Sequence, residues 1–269
     1  MAGQSKVVVI TGASAGIGAA LARRLGAEGM RLVLAARRAA ELRRVAAEAE
    51  SAGSPRTIAV ETDVTRRADV ERLRDAALEA FGRVDVWVNN AGRGISKPVL
   101  ELTDEDFDEM MAVNVKSALY GMQAIVPHFV EHGAGHLINI SSFLGRVPLA
   151  SHRSAYNAAK AALNALTANL RADLRAQAPG VHVSLVMPGM VTTEFARNAL
   201  GAADAPARSW APPTGPMRPQ TADDVAEVVA RLIERPVPEV YTNPASPELA
   251  RRYYADVAAF EAQAAPAVR

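Results

Sequence analysis

The chain has 269 residues, within the range of a single α/β domain. Apolar residues make up 49% and charged residues 22%, which suits a large core under a charged surface. The formal net charge of +1 gives no general attraction to nucleic acid or an acidic membrane, and the absence of cysteine excludes disulfides and thiolate catalysis.

Short β-branched runs alternate with longer helical patterns. Lys6 to Ile10 reads as a strand, and Gly16 to Glu28 as a helix with Ile17, Leu21 and Leu25 on one face. Arg31 to Ala35 is a second strand and Ala39 to Ser51 a second helix. Thr57 to Val60, the helix Arg67 to Ala80 and the strand Val84 to Val88 continue the alternation. Asp104 to about Val130 is a long helical pattern, opened by Thr103 and Asp106 as a capping box. His136 to Ile140 is a fifth strand, Ser154 to Gln177 a long helix and Val181 to Val186 a sixth strand. Thr192 to Gln220 is rich in Pro, Ala and Gly and reads as a mobile lid. Thr221 to Arg235 resumes as a helix, and Pro247 to Gln263 reads as a final one. Strict βα alternation implies an α/β fold: one doubly wound parallel (Rossmann-type) sheet, with sites at the C-terminal strand ends. The expected division is a dinucleotide-binding and catalytic unit over 1–240 and a helical tail over 241–269. The apolar run near the N-terminus is too short for a secretory core, and no run reaches the ~20 residues of a membrane span. The expected address is therefore the cytoplasm.

Each expected strand ends in a polar or glycine-rich group. The first is followed by Thr11-Gly12-Ala13-Ser14-Ala15-Gly16-Ile17-Gly18, a spacing that lets backbone N–H groups approach a pyrophosphate at a helix N-terminus. An ordinary tight turn would also use glycines. The later ends carry Arg37-Arg38, Asp63, Asn89-Asn90-Ala91-Gly92, Ser141-Ser142 and Pro188-Gly189, gathered along one sheet edge. Tyr156 and Lys160, four apart, share a helix face. An ammonium nearby lowers a phenol's pKa from about 10. His128 and His132 have the same spacing, but no further ligands complete a metal site, so none is expected.

In this order, these motifs resemble the short-chain dehydrogenase/reductase family over about Lys6 to Arg235. The matching elements are Thr-Gly-x-x-x-Gly-Ile-Gly at 11–18, Asp63-Val64, Asn-Asn-Ala-Gly at 89–92, Asn114-Val115, Ser142, Tyr156-x-x-x-Lys160 and Pro188-Gly-x-Val-x-Thr193. The resemblance implies hydride transfer between a nicotinamide and a carbonyl or secondary alcohol. It implies Tyr156 as general acid or base, Lys160 as the group that lowers the phenol's pKa and binds the ribose, and Ser142 as the group that polarises the carbonyl. Asn114 would hold a water of the proton relay, or merely kink its helix. Gly12, Ser14, Gly16, Ile17 and Gly18 would cradle the pyrophosphate, with Asp63 and Val64 beside the adenine. Asn90 would lie near the ribose, and Val191 and Thr193 on the carboxamide. Ser142 through Gly145 fits the family's Ser-x-x-Gly, which leaves Ser141 as a packing neighbour.

NAD-specific members carry an acid near the end of the second strand, where Ala36 stands here. Arg37 follows and can fork onto a 2′-phosphate, which implies NADP (NADPH), with Ser14 and Arg38 assisting. Either arginine could equally be an exposed start of the next helix. Phe195, Leu200, Trp210 and Met217 of the lid, with Ile95, Val147, Leu149 and Met190 as walls, suggest an apolar substrate pocket, or a mere cover for the sheet edge. The stripe Ala159, Leu163, Leu166, Leu170, Leu174 suits helix pairing, which in the family gives a homodimer or homotetramer; it could also pack only on its own sheet. Leu249, Tyr253, Val257 and Phe260 fall on one face of the expected last helix, against an oligomer surface or a membrane. Two other readings compete: a silent NADP-binding sensor, and an epimerase or dehydratase relative. Against the first stands the complete Asn, Ser, Tyr and Lys set. Against the second stands the short stretch after Thr193.

Overall fold

Val7–Thr11 is buried along its whole length, which requires a strand covered on both faces. In the computed structural model, residues 5–193, 195, 199–201 and 218–264 are described. Seven strands form one sheet among them: β1 (Val7–Thr11), β2 (Arg31–Ala36), β3 (Thr57–Glu61), β4 (Val86–Asn89), β5 (Gly135–Ile140), β6 (Val181–Met187) and β7 (Glu239–Tyr241). Their order is β3-β2-β1-β4-β5-β6-β7, and every pairing is parallel. The fold is a single-domain, doubly wound α/β sheet. The order reverses between β1 and β4, so their C-terminal ends open a crevice there.

Alternation of side chains along each strand builds two cores. Val8 and Ile10 point to one face, where α1 (Gly16–Ala27), α2 (Ala39–Ala52) and α7 (Ala222–Glu234) supply Leu21, Leu42 and Val229. Val7 and Val9 point to the other, with Trp87, under α3 (Arg67–Phe81), α5 (Ser117–Glu131) and α6 (Ser154–Gln177), which supply Leu73, Phe129 and Leu163.

Three elements differ from the sequence expectation. The long helical pattern from Asp104 is α4 (Asp104–Met111) joined to α5 through a π-turn at Ala112–Lys116. Its capping box is present, Thr103 and Asp106 bonding each other's backbone N–H. The seventh strand went unread because only three residues pair, between Pro238 and an Asn-Pro turn, and Glu239 is exposed. The last helix is broken where Asp256 turns extended (φ −157°), giving α8 (Ser246–Ala255) and α9 (Val257–Ala264). The break puts Val257 in solvent at 41% exposure, while Phe260 packs with Tyr253 on Phe143 and Val147.

Candidate active site

The β1–α1 turn is shaped by backbone geometry. Gly12 and Gly16 have φ of +67° and +55°, which side chains rarely adopt. A Cβ at Gly12 would lie 2.8 Å from Cα of Ala91, so this turn sits directly against the end of β4. Asn90 joins the two, its amide donating to the carbonyls of Thr11 (2.8 Å) and Gly12 (3.3 Å). Its nitrogen thus holds the turn to the end of β4. Ala15, the N-cap of α1, supplies no side-chain cap, and the first turn carries no acidic residue. Such a helix end suits an anion. Thr193 approaches from the β6 side, its Cγ2 3.6 Å from where a Gly16 Cβ would be. Val191 pairs with Gln220 and packs on the α1-side core, as Ile17 does.

At the end of β2, Arg38 and not Arg37 reaches the turn. As N-cap of α2, Arg38 folds back and its Nη2 donates to Ser14 Oγ at 3.2 Å. Arg37 is exposed and makes no hydrogen bond or ion pair with the described residues. Asp63 caps the turn after β3 by accepting from the N–H and hydroxyl of Thr65, with Val64 half-buried beside it.

The second half of the crevice holds the titratable groups. Asn114 sits in the π-turn, which swings its amide toward the end of β4. There it donates to Arg93 O (2.9 Å) and Met110 O (3.1 Å) and accepts from Arg93 N (3.2 Å). Gly92 lies between Asn114 and Lys160: a Cβ there would be 3.0 Å from Asn114 Oδ1 and 3.6 Å from Lys160 Nζ. Lys160 donates to Ile140 O at 2.9 Å, and its burial lowers its pKa to about 8. Tyr156 is 8% exposed, and the Ser142 hydroxyl acts on its phenol. Burial pushes the phenol up to about 12, against the opposing pull of Ser142 and of Arg153. The expectation that Lys160 draws the phenol down is not met in this arrangement. The ammonium is turned to Ile140 O, with its Nζ 5.7 Å from the phenol ring centroid. Of the adjacent serines, Ser142 faces Tyr156 and accepts from Leu144 N, while Ser141 donates to Asn164 Oδ1 at 2.5 Å.

Ile95, Phe195 and Leu200 cluster with Tyr156, and the Phe195 ring meets the phenol edge-on at 5.5 Å. Leu200 is strapped to the segment after β4 by backbone bonds to Gly94 and Ser96. Two of the expected wall residues lie elsewhere, since Val147 packs under α8 and α9 and Leu149 is 42% exposed. Trp210 and Met217, with most of the expected lid, lie outside the described residues. Two groups escaped the sequence reading. Asn139, fully buried, joins β4 to α6 by accepting from Asn89 and donating to Thr167. Arg153, one turn before Tyr156, reaches Ile95 O at 3.0 Å; its i−3 spacing was the available signal. Among the described residues no group of three His, Cys, Asp or Glu side chains could hold a metal.

A crevice with an anion-ready helix end on one side and a phenol, a hydroxyl and an ammonium on the other is the arrangement of a nicotinamide oxidoreductase. The short chain dehydrogenase family model matches residues 6–203. An uncharacterized oxidoreductase of Staphylococcus epidermidis is 35% identical over 190 residues, covering 71% of this chain and 80% of that protein. A short chain dehydrogenase/reductase of Burkholderia phymatum, solved with NAD, is 31% identical with a TM-score of 0.83, covering 98% of this chain and 97% of its own. An alcohol dehydrogenase of the archaeon Thermococcus sibiricus, solved with 5-hydroxy-NADP, is 31% identical with a TM-score of 0.75, over 88% of this chain and 96% of its own. Fold, crevice and likeness agree, and the chain belongs to the short-chain dehydrogenase family, as an oxidoreductase acting with NAD(P).

Proposed function

We propose that the protein is an NADP-dependent reductase or dehydrogenase of apolar carbonyl compounds and secondary alcohols, with Tyr156 as its proton donor and acceptor. The observation that carries this reading is the buried phenol of Tyr156, acted on by the Ser142 hydroxyl and bordered by Ile95, Phe195 and Leu200. Such a pocket admits an apolar body and offers its carbonyl oxygen two hydroxyls. With its phenol at about 12, Tyr156 stands protonated at neutral pH, the form needed to protonate a developing alkoxide. Ser142 orients the same oxygen. Lys160, held beside Gly92 on Ile140 O, would bind the nicotinamide ribose, and Asn114, fixed beside Gly92, would position the route by which the phenol's proton is restored.

The residues present fit a dinucleotide. Gly12, Ser14, Gly16, Ile17 and Gly18 offer backbone and hydroxyl to a pyrophosphate at the uncapped end of α1. Asp63, Val64, Asn90, Val191 and Thr193 line the rest of the same crevice. Arg37 would take the 2′-phosphate, with Arg38 and Ser14 already paired beside it and no acid at Ala36 to repel it. When bound, the nicotinamide supplies or takes up the hydride. The solved relatives hold NAD in one case and an NADP derivative in the other, so the choice rests on this loop. The protein would act in the cytoplasm as a homodimer or homotetramer. The expected stripe does not serve this, since Ala159 is buried and Leu163, Leu166, Leu170 and Leu174 pack on the chain's own sheet; assembly is supported instead by the exposed α6 face of Ala158, Ala161, Ala165, Ala168 and Ala172, against which a second helix can lie closely. The test is NADPH and NADH oxidation with a panel of apolar ketones. Turnover favouring NADPH is expected; tight cofactor binding without turnover of any ketone would refute the reading.

A further inference from the structure

Beside the glycine turn Arg37 and Arg38 have no carboxylate partner among the described residues; on the substrate side of the crevice the arginines are mostly paired with one. Arg93 pairs with Glu109, Lys97 with Asp106 at 2.6 Å and Arg146 with Glu239 at 2.5 Å. Lys160 has the Ile140 carbonyl at 2.9 Å. Among the arginines on that side Arg153 differs from Arg93 and Arg146. It is half-buried, no carboxylate among the described residues pairs with it, and one N–H to Ile95 O at 3.0 Å is its only side-chain hydrogen bond among them. A guanidinium has five N–H donors, so most of the fork is unspent. Its location is well defined. Nη1 lies 2.9 Å from where a Gly94 Cβ would be, and the Phe195 ring edge lies 2.8 Å from the same point. Phe195 in turn packs edge-on against Tyr156. Arg153 is the N-cap of α6, three residues before Tyr156, and its charge acts on the phenol.

A charge taken partly out of water is costly unless something pairs with it. Here the chain provides apolar neighbours, a tether and a missing Cβ that makes room, and no acid among the described residues. We propose that Arg153 is a specificity-determining residue that binds a carboxylate of the substrate. The substrate would then be an oxo acid, or the corresponding hydroxy acid, whose carboxylate stands a few bonds from the carbonyl that Tyr156 serves. The planar fork matches a carboxylate in a way that an ammonium does not. This rests on the reductase reading and refines it: the apolar body of the substrate ends in one anionic group.

The experiment compares short 2-, 3- and 4-oxo acids with their methyl esters, using the wild type, Arg153→Met and Arg153→Lys and both nicotinamide cofactors. In the wild type, the best acid should exceed its ester in kcat/KM by about 10- to 100-fold, the range of a charge-assisted hydrogen bond. Arg153→Met should lose that preference through KM for the acid, with kcat/KM for the ester kept within about threefold. Arg153→Lys, which keeps the charge and loses the fork, should recover part of it. Esters turned over as well as acids by the wild type, or an equal loss on both substrates in Arg153→Met, would overturn the assignment while leaving the reductase reading intact. An equal loss would mean that Arg153 only tethers the Ile95 segment. No turnover of acid, ester or simple ketone would remove the reductase reading and this inference with it.

Discussion

His136 predicts a loss of stability in mild acid that has nothing to do with the active site. It lies at the N-terminal end of the sheet, only 4% exposed. Ser184 donates its hydroxyl hydrogen to Val237 O at 2.6 Å, so the 2.8 Å bond to His136 must be donated by the imidazole Nε2–H. Nδ1 is then the bare nitrogen, buried and without a partner. Protonating it would bury a charge and an unpaired N–H together. Burial, helped by His182 and Lys6, holds its pKa down at about 3, against 6.5 for a free histidine. Because the folded value is the lower one, the unfolded chain binds the extra proton between these limits. Stability is therefore complete above about pH 6.5 and is lost as pH falls toward 3. At pH 5 the unfolded state is favoured by 1.5 units, or about 2 kcal/mol, at 1.36 kcal/mol per unit. Gln at 136 can still donate to Ser184 and cannot titrate. Urea unfolding of the wild type and of His136→Gln at pH 7.5 and 5.0 measures the effect. The wild type should lose about 2 kcal/mol more than the variant over this interval. Equal losses would show that His136 does not carry the pH dependence.

Three further outcomes are expected at the site. In Gly18→Ala the new Cβ would stand 2.5 Å from Gly12 O, a backbone atom that cannot yield without opening the turn; calorimetry should show NADPH affinity reduced at least about tenfold, as for loss of one charge-assisted contact. Asn114→Ala removes two hydrogen bonds that tie the π-turn to Arg93 and a third to Met110 O, so thermal unfolding should report a cost of about 1–3 kcal/mol, and kcat should fall more than NADPH affinity. Ala36→Asp with Arg37→Ala should reverse the ratio of kcat/KM for NADPH and NADH; an unchanged ratio would give the choice to Arg38 and Ser14, which are joined at 3.2 Å.

The fold was legible wherever burial is two-sided. Val7–Thr11 and Val86–Asn89 read as strands because both faces are covered and every position is buried. Glu239–Tyr241 carries no such run, and only its pairing with β6 makes it a strand. The π-turn was legible only as a kink at Asn114, because apolar spacing continues through it and the bonds of Asn114 run to a distant loop. At the site, helical spacing and strand ends brought Tyr156, Lys160 and the Ser141-Ser142 pair to one edge, and the resemblance to the family singled out Ser142 and the roles. Which arginine meets the glycine turn could not be picked out, because Arg37 and Arg38 are adjacent and the N-cap geometry of α2 sends the second one back. The direction of the Tyr156 shift was also hidden. Spacing puts an ammonium nearby, but Lys160 is turned to Ile140 O and burial of the phenol decides the direction, with residues as far away in sequence as Phe195 packed on it.

The central claim is that the buried phenol of Tyr156 moves the proton. Tyr156→Phe keeps the ring, its packing on Phe195 and the pocket walls, and removes only the hydroxyl. Single-turnover reduction of a ketone that the wild type accepts, measured beside the NADPH dissociation constant, tests it most directly. Turnover should fall by roughly 10²- to 10⁴-fold, the usual contribution of a positioned acid, while NADPH affinity stays within about threefold. Near-normal turnover in this variant would contradict the account.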